Sequence, residues 1–216
     1  MYNLGEQVDN FIFSLEKGGY DIMPYLPNKN WKPGDPIYYS GPYWDNREVT
    51  AAITTLLGGQ WLPAGENVNK FERAFSKKFD FKHSVMVNSG SSANLVMIAA
   101  LKKYFDWHDG DEIIVCACGF PTTINPIIQN GLKPVFVDID MEDLNWNLQQ
   151  IEEKLTPRNV AVFSSPFLGN PYDFDQFFKI LDRNRLHYIA DNCDSLGSKW
   201  RGELLTKKAV AASCSF

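Results

Sequence analysis

Beyond residue 110 the chain repeats one pattern: a short continuous apolar run, then an amphipathic stretch. EIIVCAC (Glu112–Cys118), KPVFVD (Lys133–Asp138), Asn159–Ser165 and LHYIAD (Leu186–Asp191) read as strands, and Ala209–Phe216 begins another. Pro121–Gln129, Asn147–Leu155 and Asp173–Arg183 read as helices between them. These strands are apolar throughout rather than alternating with polar residues. That is the mark of a parallel sheet covered on both faces, so the pattern predicts a three-layer α/β/α domain with a mostly parallel sheet.

Upstream, Leu4–Leu15, Arg47–Leu57 and Asn69–Phe79 carry apolar residues at helical spacing. Residues 20–45 are rich in proline and aromatics, among them Tyr38, Tyr39, Tyr43 and Trp44, and predict an ordered arm lying across another surface. The expected organisation is an N-terminal helix and arm over 1–45 and a larger domain over 46–216.

The organising stretch is Ser84–Tyr104. SVMVN predicts a buried strand, SGSSAN (Ser89–Asn94) a turn of small residues, and LVMIAALKKYF a helix. A helix opening on serines and a glycine offers free N–H groups, hydroxyls and the positive end of its dipole, which suits a phosphate. A serine-rich cap that binds nothing reads the same way. The spacing matches neither a Walker loop nor a dinucleotide fingerprint.

In parallel sheets ligands sit beyond the carboxyl ends of the strands. Gly119-Phe120 and Asp191 fall there. Asp191 could cap a helix or pair with a cationic group, and Phe120 could be core or a flat face for a planar ring. Anion cradle, aromatic face and held carboxylate together describe a pocket for pyridoxal phosphate. In it Asp191 would keep the ring nitrogen protonated.

Composition narrows the class. The chain has 216 residues, 44% hydrophobic and 22% charged, with formal net charge -5, so it is globular. It has no basic block for nucleic acid, no apolar stretch long enough to span a membrane, and no signal peptide at its start. A cytoplasmic protein with reduced cysteines is expected. His83, His108 and His187 read as structural or surface residues. The last residues, AVAASCSF, form an apolar run without a polar tail, so the chain is expected to stop in mid-strand.

NSGSSANL (Asn88–Leu95), GFPTTINPIIQNGLKPVFVD (Gly119–Asp138), LGNPYD (Leu168–Asp173) and DNCDSLGS (Asp191–Ser198) carry a resemblance. Over residues 37–216 the chain resembles the sugar aminotransferase-like (DegT/DnrJ/EryC1/StrS) family of pyridoxal-phosphate enzymes. The likeness is strongest to the iron–sulfur branch that removes the C3 hydroxyl of CDP-linked 4-keto-6-deoxyhexoses for lipopolysaccharide sugars. It implies the large domain of a fold-type I enzyme, truncated before its last strand and lacking the C-terminal small domain. In the full sheet that last strand lies between the first and the sixth.

The resemblance implies that Ser91 and Ser92 hold the cofactor phosphate, joined by Ser215. Phe120 stacks on the ring, Asp191 faces its nitrogen, and Asp194 lies near its hydroxyl. The cofactor is pyridoxal phosphate or pyridoxamine phosphate. The deciding catalytic residue, His in dehydrases and Lys in aminotransferases, comes five positions after the serine matched by Ser215, beyond Phe216. Cys193 matches a parent ligand of a 2Fe–2S cluster, whose other ligands lie downstream. Implied partners are a nucleotide-linked 4-keto-6-deoxy sugar, a second copy of the chain, and a flavin or iron–sulfur reductase. A nucleotide-sugar aminotransferase and a non-catalytic, dimerising fragment stay open beside the dehydrase. The chain alone is expected to bind cofactor weakly and not to turn over.

Overall fold

A computed structural model describes residues 3–19, 32–37, 45–58 and 65–216. The aromatics Tyr38–Trp44 lie outside the described residues. Two compact units divide the chain, Met1–Asn69 and Lys70–Phe216.

In the first unit, α1 (Leu4–Lys17) packs with α2 (Asn46–Gly58). Val8 and Ile12, four residues apart on one face, are the buried side chains of α1. The Thr50 hydroxyl donates to Asp9 and the Asn46 amide donates to Glu16 at 3.3 Å, joining the two helices at two levels.

The second unit holds most of α3 (Glu66–Lys78) and a parallel five-stranded sheet. Its strands are β1 (Glu112–Cys116), β2 (Lys133–Val137), β3 (Asn159–Ser164), β4 (His187–Asp191) and β7 (Ala211–Ser213), in the order β2-β1-β3-β4-β7. Consecutive residues of a strand face opposite ways. Ile113, Val115, Ala161, Phe163 and Ile189 therefore pack with Ile98 and Leu101 of α4 (Gly90–Tyr104) and Ile127 of α5 (Pro121–Gln129). Ile114, Val162, Tyr188 and Ala190 pack on the other face with Ile151 of α6 (Leu148–Glu153) and Phe174, Phe177 and Leu181 of α7 (Phe174–Asn184). This is the expected three-layer architecture.

Three details differ from the sequence reading. Ser84–Asn88 forms no strand: it pairs with no described neighbour, and Val85 and Met86 are 79% and 51% exposed. An apolar run becomes a strand only where another strand meets its N–H and C=O groups. Here the Met86 N–H donates to the Glu72 carboxylate at 2.7 Å instead. β7 is only three residues long, since its partner β4 ends at Asp191; beyond it Phe216 turns its ring edge-on to Phe71 and Phe75, with centroids 5.5 and 5.7 Å away. An unforeseen hairpin, β5 (Lys199–Trp200) and β6 (Glu203–Leu204), turns through Arg201 and Gly202, both at positive φ. That is the backbone a two-residue hairpin turn requires.

Candidate functional site

The carboxyl ends of β1, β4 and β7 and the N-terminus of α4 supply the site residues. Ser89 caps α4: its extended backbone aims the hydroxyl to accept the Ser92 N–H at 3.1 Å. Gly90 is buried. A methyl group on it would lie 2.9 Å from Ser215 Cβ and 3.2 Å from both Ser215 Oγ and Cys193 Sγ. The structure thus gathers the helix start, Ser215 and Cys193, which are distant in sequence. Ser91 and Ser215 are exposed and Ser92 is half-buried, so the cradle opens outward.

Asp191 ends β4 and is 3% exposed. Its Oδ2 accepts from Asn94 Nδ2 at 2.9 Å and from Thr123 Oγ1 at 2.6 Å. Among the described residues its Oδ1 accepts the Cys193 N–H, at 3.3 Å, and the Cys193 thiol lies beside the same carboxylate. A buried carboxylate with three donors is a held group, and Oδ1 keeps acceptor capacity.

Phe120 directly precedes α5, whose fixed first turn begins at Pro121. The ring is 68% exposed, so it is not a core residue. Beside it opens a small recess lined by Cys118, Gly119, Thr123 and Trp146. Asp194 is exposed in the turn after β4, with its carbonyl pressed against Gly169. Gly169 holds positive φ, and a side chain there would come within 2.9 Å of that carbonyl.

The cysteines are free. Burial raises the Cys193 thiol well above the ordinary range, and the neighbouring Asp191 carboxylate adds to the shift. Burial likewise raises Cys214, whose sulfur receives the Asn192 amide at 3.7 Å. These are neutral thiols rather than ready thiolate ligands. Among the described residues no group of three or more His, Cys, Asp or Glu side chains comes together as a metal site. Among the same residues no helix is long and apolar enough to cross a membrane.

Asn94 and Thr123 escaped the sequence reading. The available signal was a polar residue, Asn94, directly before the apolar run LVMIAAL; in the structure it is 1% exposed. A buried amide in a helix needs partners, and they come from other elements.

A five-stranded parallel sheet with this cradle and carboxylate at its carboxyl edge is the large-domain architecture of fold-type I pyridoxal-phosphate enzymes. The chain belongs to the DegT/DnrJ/EryC1/StrS aminotransferase family, whose profile matches residues 44–216. It is 40% identical over 162 residues to a GDP-4-keto-6-deoxy-D-mannose 3-dehydratase of Yersinia pseudotuberculosis, covering 74% of this chain and 41% of that one. It is 32% identical over 218 residues to the lipopolysaccharide biosynthesis protein RfbH of Salmonella typhimurium, covering 99% and 48%. Among solved structures, the E. coli GDP-4-keto-6-deoxy-D-mannose-3-dehydratase with bound hydrated PLP superposes with a TM-score of 0.71 at 38% identity, covering 76% of this chain and 42% of that one. The chain thus spans less than half the length of each of these relatives. The two 3-dehydratases are named for a GDP-linked sugar, so the likeness does not single out the CDP-linked branch.

Proposed function

We propose that the chain is the cofactor-binding part of a nucleotide-sugar 3-dehydrase. Such an enzyme acts with pyridoxamine phosphate on a nucleotide-linked 4-keto-6-deoxyhexose in surface-polysaccharide synthesis, in the cytoplasm. The observation that carries this reading is the buried Asp191, held through Oδ2 with Oδ1 left to accept, at the sheet edge that also bears the α4 cradle. The kinship to 3-dehydratases supports it.

The residues fit a phosphorylated pyridine. Ser91, Ser92 and Ser215, with the N–H groups of the α4 start, would bind the phosphate dianion. The exposed Phe120 ring would cover one face of the pyridine and keep water from it. Asp191 would hold a proton at the ring nitrogen, and Asp194 would lie on the side of the ring hydroxyl. When bound, the cofactor supplies an electron sink. The proton-transferring His is expected beyond Phe216, in a longer chain that works as a dimer. A 2Fe–2S cluster and its reductase belong to the proposal only for that longer chain, because Cys193 is the single matched ligand here.

The family's name favours a second reading, transamination of the same keto sugars. Incubation with pyridoxamine phosphate and nucleotide-linked 4-keto-6-deoxy sugars, followed by mass spectrometry, separates the two. Loss of the C3 hydroxyl supports dehydration. Gain of an amine with glutamate as donor supports transamination. A longer chain that does neither refutes both.

A further inference from the structure

Asn94 joins three elements. It stands on α4, and its Nδ2 donates to Asp191 Oδ2 at the end of β4 and to the Thr122 carbonyl, 3.0 Å away, in the first turn of α5. Its own Oδ1 is buried and has no partner among the described residues. Turning the amide over would aim that oxygen at a carboxylate and a carbonyl, two acceptors, so the orientation is fixed. Thr123, 3% exposed, donates to the same Oδ2 from the same turn of α5. Two short bonds therefore converge on one carboxylate oxygen, while the bond to the other from the Cys193 N–H is longer, at 3.3 Å. Phe120 immediately precedes this turn.

We propose that Asn94 and Thr123 are positioning residues for Asp191. They clamp Oδ2, fix the carboxylate's rotation, and leave Oδ1 to accept a cationic ring N–H. Through the Thr122 carbonyl, Asn94 also sets where the turn bearing Phe120 stands relative to that carboxylate. The inference rests on the cofactor reading above for the identity of the ligand, but not for the clamp.

The clamp is tested first in the ligand-free protein. Thr123→Val keeps the side-chain shape and removes only the hydroxyl. A crystal structure of this variant should show the Asp191 carboxylate rotated from its wild-type position, and Thr123→Ser should keep it in place. An unmoved carboxylate in Thr123→Val overturns the clamp. The second arm measures binding by absorbance, using pyridoxal phosphate and an analogue with C–H in place of the ring nitrogen. Thr123→Val should weaken pyridoxal phosphate binding about tenfold or more, the scale of one hydrogen bond to a charged group, and leave the analogue's affinity unchanged. Thr123→Ser should restore it. An equal loss for both compounds overturns the proposal, because a merely structural role moves both. Asn94→Leu should repeat the selective loss, and Thr123→Val carries the test if that variant fails to fold. Wild-type protein that binds neither compound sinks the cofactor reading alone, and the ligand-free structure still decides the clamp.

Discussion

Ser215 stands so close to Gly90 that a single methyl group on the glycine would come within 2.9 Å of its Cβ. That Cβ is fixed to the main chain, so it cannot swing aside as a long side-chain tip would. Gly90→Ala must therefore move either the start of α4 or the residues after β7. A loss of about 1–3 kcal/mol is expected, as for other overpacked sites. Gly119→Ala is the control, since an added methyl there meets nothing within 4 Å. Urea melts of the two variants check this: equal stability for both would show that Gly90 is not sterically required.

Ser89 separates helix capping from anion binding. Ser89→Ala removes the acceptor for the Ser92 N–H and should destabilise the protein by about 1 kcal/mol. Ser89→Asp keeps an acceptor at the cap, so stability should return to near wild type. It also sets a negative charge beside the proposed phosphate cradle, and pyridoxal phosphate affinity should then fall. Denaturation and absorbance titration read the two effects independently. Unchanged cofactor affinity in Ser89→Asp would place the anion elsewhere.

Alkaline pH should unfold the protein for a defined reason. Burial pushes Cys116 from its ordinary value of 9.0 up to about 11, and it raises Tyr172, Tyr188 and Cys193 as well. Each group is neutral in the fold and ionises more easily in the unfolded chain. The stability that each contributes is complete below its unfolded pKa and is lost as pH rises towards the folded one. For Cys116 that window runs from about 9 to about 11. Urea midpoints measured across it should decline steadily, and Cys116→Ala should flatten the first part of the decline. A flat profile to pH 11 would contradict the burial of these groups.

Most of the fold could be read because it depends on local signals. Asp173 caps α7 by accepting the Gln176 N–H at 2.9 Å, and Pro121 opens α5, so both helix starts were visible in the chain. Strand identity was visible where runs such as IIV in β1 are buried on both faces. Ser84–Asn88 failed because strand formation is decided by a neighbour and not by the run itself. In the candidate site, Asp191 and Phe120 were legible from their places after apolar runs. Asn94 and Thr123 were not, since their partners are distant in sequence and only folding brings them to one carboxylate oxygen.

The unpaired run Ser84–Asn88 makes the last prediction. Protection of an amide from exchange tracks how much structure must open to free it. In β3, Val162 and Phe163 are fully buried and pair with β1 on one side and β4 on the other. Their amides should exchange only on global unfolding. Among the described residues β7 has one partner, β4, and is flanked by the bonds Val210 N–H to the Tyr188 carbonyl and Asn192 N–H to the Ser213 carbonyl, at 2.8 and 2.9 Å. It should show intermediate protection. Val85 has no ladder partner among the described residues and is 79% exposed, so its amide should exchange fastest of the three. The Met86 amide, tied to Glu72, should lag behind it, and Glu72→Ala should remove that lag. Residue-resolved hydrogen exchange measures all four sites at once. Protection of Val85 equal to that of Phe163 would mean that this segment has a strand neighbour after all, and the sheet as described would need another strand.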